Sequence, residues 1–361
     1  MDSDTAHRRY RGRGAVSNRV SRFADHQRER FDDGWALDRE EDSFPTTLHI
    51  DSARTIISRN DSPDVPFSRS INPYAGCQHG CAYCYARPSH AYRDLSPGLD
   101  FETEIFYKPN AAELLRAELS KSGYRPQTIA LGANTDAYQP AERQLRITRE
   151  LLEVLHETRH PTVIITKSNL VLRDMDLLAD MARDNIAAVL VSITTLDGEI
   201  ARRMEPRAVT PQRRIETIHR LTEVGIPCGV LISPIVPGLT DHEIEDILAA
   251  AAHAGARRAN MIILRLPREL REIFSEWLAA HYPDRASKVL GLLRQCRSGQ
   301  LNDPGFGSRM SGSGPIADMI GQRFALATRR LGLGTPSESW ELTTSRFRIT
   351  QHPGGQMTLP L

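Results

Sequence analysis

Lysine is almost missing from this chain. It has four (Lys108, Lys121, Lys167 and Lys288) against 42 arginines in 361 residues. The skew reads as base composition rather than function. It singles out the few lysines, because a compact ammonium and a planar guanidinium are not interchangeable at a binding site. Cysteine is also scarce. Five in a chain of this length, with no apolar h-region near the N-terminus, exclude a disulfide scaffold and a secretory signal, and the expected location is a reducing cytoplasm. No apolar run approaches the ~18 residues of a membrane span. Net charge is only +1, so no global field draws the protein to nucleic acid. No G-x-G-x-x-G follows a first strand and no G-x-S-x-G occurs. These two absences weigh against a dinucleotide-binding fold and an α/β hydrolase.

What is present is a repeated strand–helix pattern. Short apolar runs at 68–76, 127–134, 161–168, 187–195, 226–236 and 259–267 alternate with amphipathic stretches. Asn110 is placed to cap a helix through AAELLRAEL, and Thr210 with Pro211 to open another. Strands so continuously apolar are buried on both faces, as in parallel sheets. Six such units predict an α/β fold, a partial (β/α)6 TIM-like barrel, with its site at the C-terminal strand ends. The predicted domains are a disordered extension over 1–45, the barrel over 46–296 and a cap or tail over 297–361. Residues 8–22 carry six arginines and no acid, and an acid-rich stretch follows. A solvated tail is the first reading of that stretch, a nucleic-acid arm the second.

The densest chemistry lies in GCQHGCAYCY, residues 76–85, where Cys77, Cys81 and Cys84 have C-x3-C-x2-C spacing. Thiolates suit zinc and iron–sulfur clusters. Structural zinc needs four ligands, usually two separated pairs, and no second pair exists; His79 or His90 would have to complete the set. A [4Fe–4S] cube on three cysteines leaves one iron open to a small molecule. Gly76 and Gly80 let the backbone turn tightly around such a cube. Cys228 and Cys296 read as core residues.

This loop, with Tyr83 before the third cysteine, resembles the radical S-adenosylmethionine (SAM) enzymes. With ANTDAYQPAE, TVIITKS, VSITTLD, MEPR and RLTEVGIPCGVLISPIVPGLTD, the likeness is to the spore photoproduct lyase-like (DNA repair photolyase-like) branch, over about residues 68–265. The resemblance implies a [4Fe–4S] cluster on Cys77, Cys81 and Cys84, with SAM chelating the open iron. One electron cleaves SAM to a 5′-deoxyadenosyl radical that abstracts hydrogen from a substrate. It implies that Asn134, Thr135 and Asp136 meet the SAM amino group and that Lys167 faces its carboxylate or ribose. Ser192 and Thr194 would hold the ribose, Arg207 and Arg203 would bind anions, and Ile232, Pro234 and Val236 would pack on adenine. Arg265 is a further strand-end candidate. The implied partners are an external one-electron donor of flavodoxin or ferredoxin type and a nucleic-acid or protein substrate, with no membrane.

The chain departs from spore photoproduct lyase in one respect. That enzyme's hydrogen-donating cysteine falls at Ala133 or Asn134 here, so its lesion-reversal chemistry is not expected. The alternative to a radical SAM enzyme is a non-catalytic zinc or iron–sulfur module.

Overall fold

The structure is a computed structural model that describes residues 10–23, 45–334 and 342–349. All six expected strands form, as β3 (Arg69–Ile71), β6 (Ile129–Leu131), β7 (Thr162–Thr166), β8 (Ala187–Ser192), β9 (Cys228–Ile235) and β10 (Arg258–Ile263). They lie parallel in the order β3-β6-β7-β8-β9-β10, and β2 (Ile57–Arg59) pairs antiparallel on β3 at the edge. β2 had no signal beyond three residues. A second sheet holds β1 (Thr47–Ile50), β5 (Glu104–Tyr107) and β4 (Tyr74–Ala75), with β5 central.

Strand order decides between the two α/β architectures. A doubly wound sheet reverses order at a switch point. Here order never reverses, and right-handed crossovers in one direction place successive helices on one face. The sheet is therefore an open, barrel-like arc, and no pairing between β10 and β2 closes it. Both faces are apolar, as parallel packing requires. β6 is buried throughout, and Val189, Val191, Val230 and Ile232 belong to one core with the helices Met175–Arg183, Pro211–Glu223 and Ile244–His253.

Local signals were mostly sound. Thr210 accepts from the Arg213 amide at 3.4 Å, and Pro211 begins that helix. Asn110 precedes the helix Ala111–Leu119 but makes no capping bond, and its buried Oδ1 lacks a partner. The stretch 141–159 is two helices, Glu142–Leu145 and Ile147–Glu157, broken where Arg146 is left-handed at φ 55°.

The termini depart from the expected boundaries. Residues 10–23, placed at sequence level in a disordered extension, dock on the barrel: Ala15 and Val16 are buried, and Arg22 pairs with Glu269 at 2.8 Å. The rest of the extension, 1–9 and 24–44, lies outside the described residues. The helix Pro315–Leu331 packs on Ile244–His253, and Ala317, Ile320 and Phe324 join the main core. The Ala259 amide donates to Gly334 at 3.0 Å. The segment after 296 is thus continuous with the barrel as far as Gly334. Among the described residues, no helix is long and apolar enough to cross a membrane.

Candidate metal and cofactor site

β3 ends at Ile71, and four residues later the chain enters the cysteine loop. Gly80 has φ +66°, and a Cβ there would lie 2.6 Å from the Glu102 carboxylate, so only glycine fits. The loop is stitched by its own backbone: the Gly80 amide donates to Cys77 O at 3.2 Å, and the Cys84 amide to Cys81 O at 3.2 Å. Beneath it lies Arg87, fully buried. Its guanidinium donates to Cys81 O at 2.8 Å, Gly80 O at 3.0 Å and Gly98 O at 2.8 Å, and it pairs with the buried carboxylate of Glu102.

The motif ANTDAYQPAE holds the loop from the β6 side. Gln139 accepts from the Gln78 amide at 2.9 Å and donates to Gly76 O at 3.2 Å, and Gln78 accepts from the Ala141 amide at 2.6 Å. His79 Nδ1 lies 3.3 Å from Asp136 Oδ2. The Asp136 carboxylate also accepts from Tyr138 N (2.8 Å), Thr166 Oγ1 (2.8 Å) and Lys167 N (2.7 Å). Burial disfavours its charge, but His79 and the two amides win and hold its pKa at about 2. Four donors fill the lone pairs of one carboxylate. Asp136 therefore joins β6, β7 and the cysteine loop.

The other expected residues divide. Lys167, half-buried, has its Nζ 5.8 Å from the Tyr83 ring, and that ammonium makes no hydrogen bond or ion pair among the described residues. Its charge lowers the pKa values of Cys81 and Cys84. Asn134 is half-buried; its amide N–H donates to Asn72 at 2.8 Å, and its side chain has no partner among the described residues. Thr135 Oγ1 donates to Tyr74 O at 2.8 Å. Ser192 is buried at the end of β8 and makes one long bond, 3.3 Å to Ser233 O.

Thr194 instead donates to Glu205 at 2.9 Å, deep in the core. Arg207 is exposed and reaches Thr46 at 3.3 Å, while its backbone amide supports the loop at His79 O. Arg203 donates to His281 O and pairs with Glu199 on its own helix. Ile232 and Val236 are core residues, and Pro234 is buried beside them. Arg265 is half-buried, 5.7 Å from the Tyr85 ring. Ala133 contributes a carbonyl that accepts from Tyr85.

Sequence reading missed the support beneath the loop. Glu205 accepts from Tyr83 and Thr194 and pairs with Arg214, all of them buried; Arg214 also donates to Ser192 O at 3.0 Å. Glu205 was in plain view in MEPR, where its flanking arginines drew the attention. Arg87 had no signal, since one arginine among 42 says nothing of burial.

The three thiols test the fit to a cluster. Burial raises all of them: Cys77 is pushed up to about 12, with Asp136 and Cys84 adding to the rise, while Cys81 is raised further by Glu205. Such thiols ionise only against a strong positive centre, as iron ligation supplies. Among the described residues no three His, Cys, Asp or Glu side chains are drawn together tightly enough for a single metal ion. One zinc gathers all its thiolates at about 2.3 Å. A cube spreads three thiolates over three irons, so three cysteines on one loop can hold it without a fourth protein ligand. His90, the possible fourth zinc ligand, pairs its Nε2 with Glu104 O at 3.0 Å and packs its ring on Phe101, while its buried Nδ1 has no hydrogen-bond partner among the described residues. Burial lowers its pKa to about 4.

The family model described as the Radical SAM superfamily matches residues 71–251, half of the chain. The chain belongs to the radical SAM superfamily. It is a radical SAM enzyme, and the cofactors of that superfamily are a [4Fe–4S] cluster and SAM, which the thiol loop fits. An uncharacterized protein of Mycobacterium tuberculosis is 37% identical over 233 residues, 64% of this chain and 68% of its own length. A protein of Pseudomonas phage M6 called a radical SAM Nalpha-GlyT isomerase is 29% identical over 184 residues, 49% of this chain and 35% of its own. Among solved structures, a spore photoproduct lyase mutant with bound AdoMet and dinucleoside spore photoproduct has a TM-score of 0.58 at 13% identity, covering 80% of this chain and 81% of that one. That likeness is one of fold.

Proposed function

We propose that Cys77, Cys81 and Cys84 hold the cluster, and that Lys167, Asn134 and Ser192 contact SAM in an enzyme that acts on a nucleic acid. The observation carrying the cofactor reading is the unpaired Lys167 ammonium beside the buried thiol loop. The Lys167 charge is felt by Glu205, but that carboxylate is bound to Arg214, and an ammonium with no hydrogen-bonded carboxylate suits an anionic group of the ligand such as the SAM carboxylate. Asn134 offers its free side-chain carbonyl to the ammonium end. Ser192 offers a weakly held hydroxyl to the ribose. Asp136 keeps these groups in register without touching SAM. A [4Fe–4S] cluster held by these cysteines would supply the one electron for reductive cleavage of SAM bound by these groups. An external donor of flavodoxin or ferredoxin type would deliver that electron.

The substrate reading rests on the surface. Four aromatic rings are strongly exposed among the described residues: Phe23, Tyr85, Tyr92 and Phe306. Each faces an arginine: Arg22 at 4.5 Å from Phe23 and 4.9 Å from Tyr92, Arg265 at 5.7 Å from Tyr85, and Arg309 at 4.8 Å from Phe306. Tyr85 directly follows Cys84. Burial and neighbouring Arg309 lower the Arg265 pKa against the opposing influence of Tyr85 and Asp64. Exposed rings set beside arginines are how single strands are held, bases stacked and phosphates neutralised. Arg22 is paired with Glu269 and Arg309 with Asp64, which among the described residues leaves Arg265 as the cation of this set free for a phosphate. The solved lyase structure holds a dinucleoside, which supports this class for the chain. Ala133 puts a methyl where the lyase-type donor would be, so the reaction differs from spore photoproduct reversal.

Anaerobically reconstituted protein should be brown, absorb near 400 nm, and with SAM and dithionite release 5′-deoxyadenosine and methionine. Colourless protein with one tight zinc would overturn the cofactor reading. Oligonucleotide binding should weaken with salt, and Arg265→Ala should lower the log–log salt slope by about 0.7. Absence of salt-dependent binding to DNA and RNA would overturn the substrate reading.

A further inference from the structure

The N-terminal segment 10–23 crosses the cysteine loop at contact distance. Gly14 lies so close that a Cβ on it would fall 1.8 Å from Gly80 O and 3.1 Å from Ala82 N. Backbone meets backbone between the first and third cysteines, and neither side can give way. Ala15 is fully buried in the same core as Cys81, Ala82 and Tyr83. The contact has a dedicated latch. The Gly14 and Ala15 amides donate to the two oxygens of Glu102, at 3.0 and 2.8 Å, and Arg13 donates to Glu102 O at 3.0 Å. The same carboxylate pairs with Arg87, whose other N–H groups hold the carbonyls of Gly80 and Cys81. One buried carboxylate therefore joins the segment to the loop. Farther along, Ser17 and Arg19 bind Glu276 and Arg22 binds Glu269, both acids on or beside the helix Leu270–His281.

We infer that residues 13–16 are a clip that closes over the cluster-binding loop, with Glu102 and Arg87 as its latch and Arg19 and Arg22 as its outer anchors. Its role is to keep water, oxygen and chelators from the cluster and to hold the loop in ligating shape; Glu102 and Arg87 are positioning residues. A ligating loop at a sheet end has one side packed on the barrel and the other open unless another segment covers it. Here a segment with two amides fixed on a buried charge does so. Opening the clip takes two amide donors from the buried Glu102 carboxylate and leaves it Arg87 alone, which makes the closed state the stable one. The inference rests on the assignment of Cys77, Cys81 and Cys84 as cluster ligands.

The test measures cluster lifetime, apart from turnover. Wild type, Gly14→Ala, Arg19→Ala/Arg22→Ala and Arg19→Lys/Arg22→Lys are reconstituted anaerobically. Iron content and the band near 400 nm are recorded, then decay of that band in air or with an iron chelator. Both alanine variants should take up a full cluster and lose it about tenfold faster, the change expected when the equivalent of one charge-assisted hydrogen bond no longer holds the clip shut. The lysine pair, which keeps the ion pairs, should restore the wild-type lifetime. A merely structural segment would lower the denaturation midpoint and leave decay in folded protein unchanged, and that result overturns the clip. If Gly14→Ala does not fold, the surface arginine pair decides. Wild-type protein that takes up no cluster overturns the ligand assignment, and the clip with it; a loaded wild type with unaltered variants overturns the clip alone.

Discussion

Asp136 shows how a residue's neighbours decide its role. A carboxylate at a strand end next to a cofactor reads as a ligand contact, yet its oxygens are consumed by His79, Tyr138, Thr166 and Lys167 N. Asp136→Asn is expected to cost roughly 1–3 kcal/mol in denaturant unfolding of the cluster-free protein, because an amide cannot accept from every donor there. The carboxyl titrates at about 2 when folded against an ordinary 3.8, so its contribution is complete above about pH 4 and is lost as pH falls toward 2. Lys167 is the opposite case, a charge with its capacity unspent. Lys167→Ala should leave iron content unchanged and weaken SAM binding about tenfold or more, the scale of one charge-assisted contact, read by anaerobic equilibrium titration.

Elements act here mainly as supports. The buried pair Glu205–Arg214 ties the end of the helix Gly198–Met204 to the first turn of Pro211–Glu223, and through Tyr83 it reaches the cysteine loop. Removing one partner, as in Arg214→Met, should destabilise by about 3–5 kcal/mol, since a charge is then buried unpaired. The helix Ile147–Glu157 runs into a second buried group, His160, held by Tyr124 at 2.7 Å, with Phe347 against its ring and Arg69 adding positive charge nearby. Burial lowers its pKa to about 4 from an ordinary 6.5. The unfolded chain takes up a proton that the folded one refuses, so stability is lost as pH falls from about 6.5 to about 4. Melting temperatures across that window should fall less steeply for His160→Gln.

At the scale of the molecule, the barrel is completed by chain from outside the family match at 71–251. The helix Pro315–Leu331 covers Ile244–His253 and the outer strand β10 with Phe324, Ile320 and Ala317. Phe324→Ala should cost about 3–5 kcal/mol if the neighbours cannot close the cavity. A chain ending at residue 311 would expose that apolar face and is expected to aggregate, as read by light scattering.

The six barrel strands, several of the helices between them and the thiol loop could be read from sequence, because each follows from a local period or spacing: continuous β-branched runs, 3.6-residue amphipathicity, three cysteines within eight positions. The short strands β1, β2, β4 and β5 could not. The functional division among polar residues could not. Asp136, Thr194 and Lys167 all follow apolar strands and look alike in one dimension. Only the folded chain spends the first on His79, the second on Glu205, and leaves the third open. The same holds for the arginines: Arg87, Arg207 and Arg265 are identical letters, buried under a loop, exposed at an edge and set against Tyr85. Charge and hydrogen-bond capacity are properties of the residue. Whether they are already satisfied depends on partners far away in sequence, and tertiary structure alone supplies those.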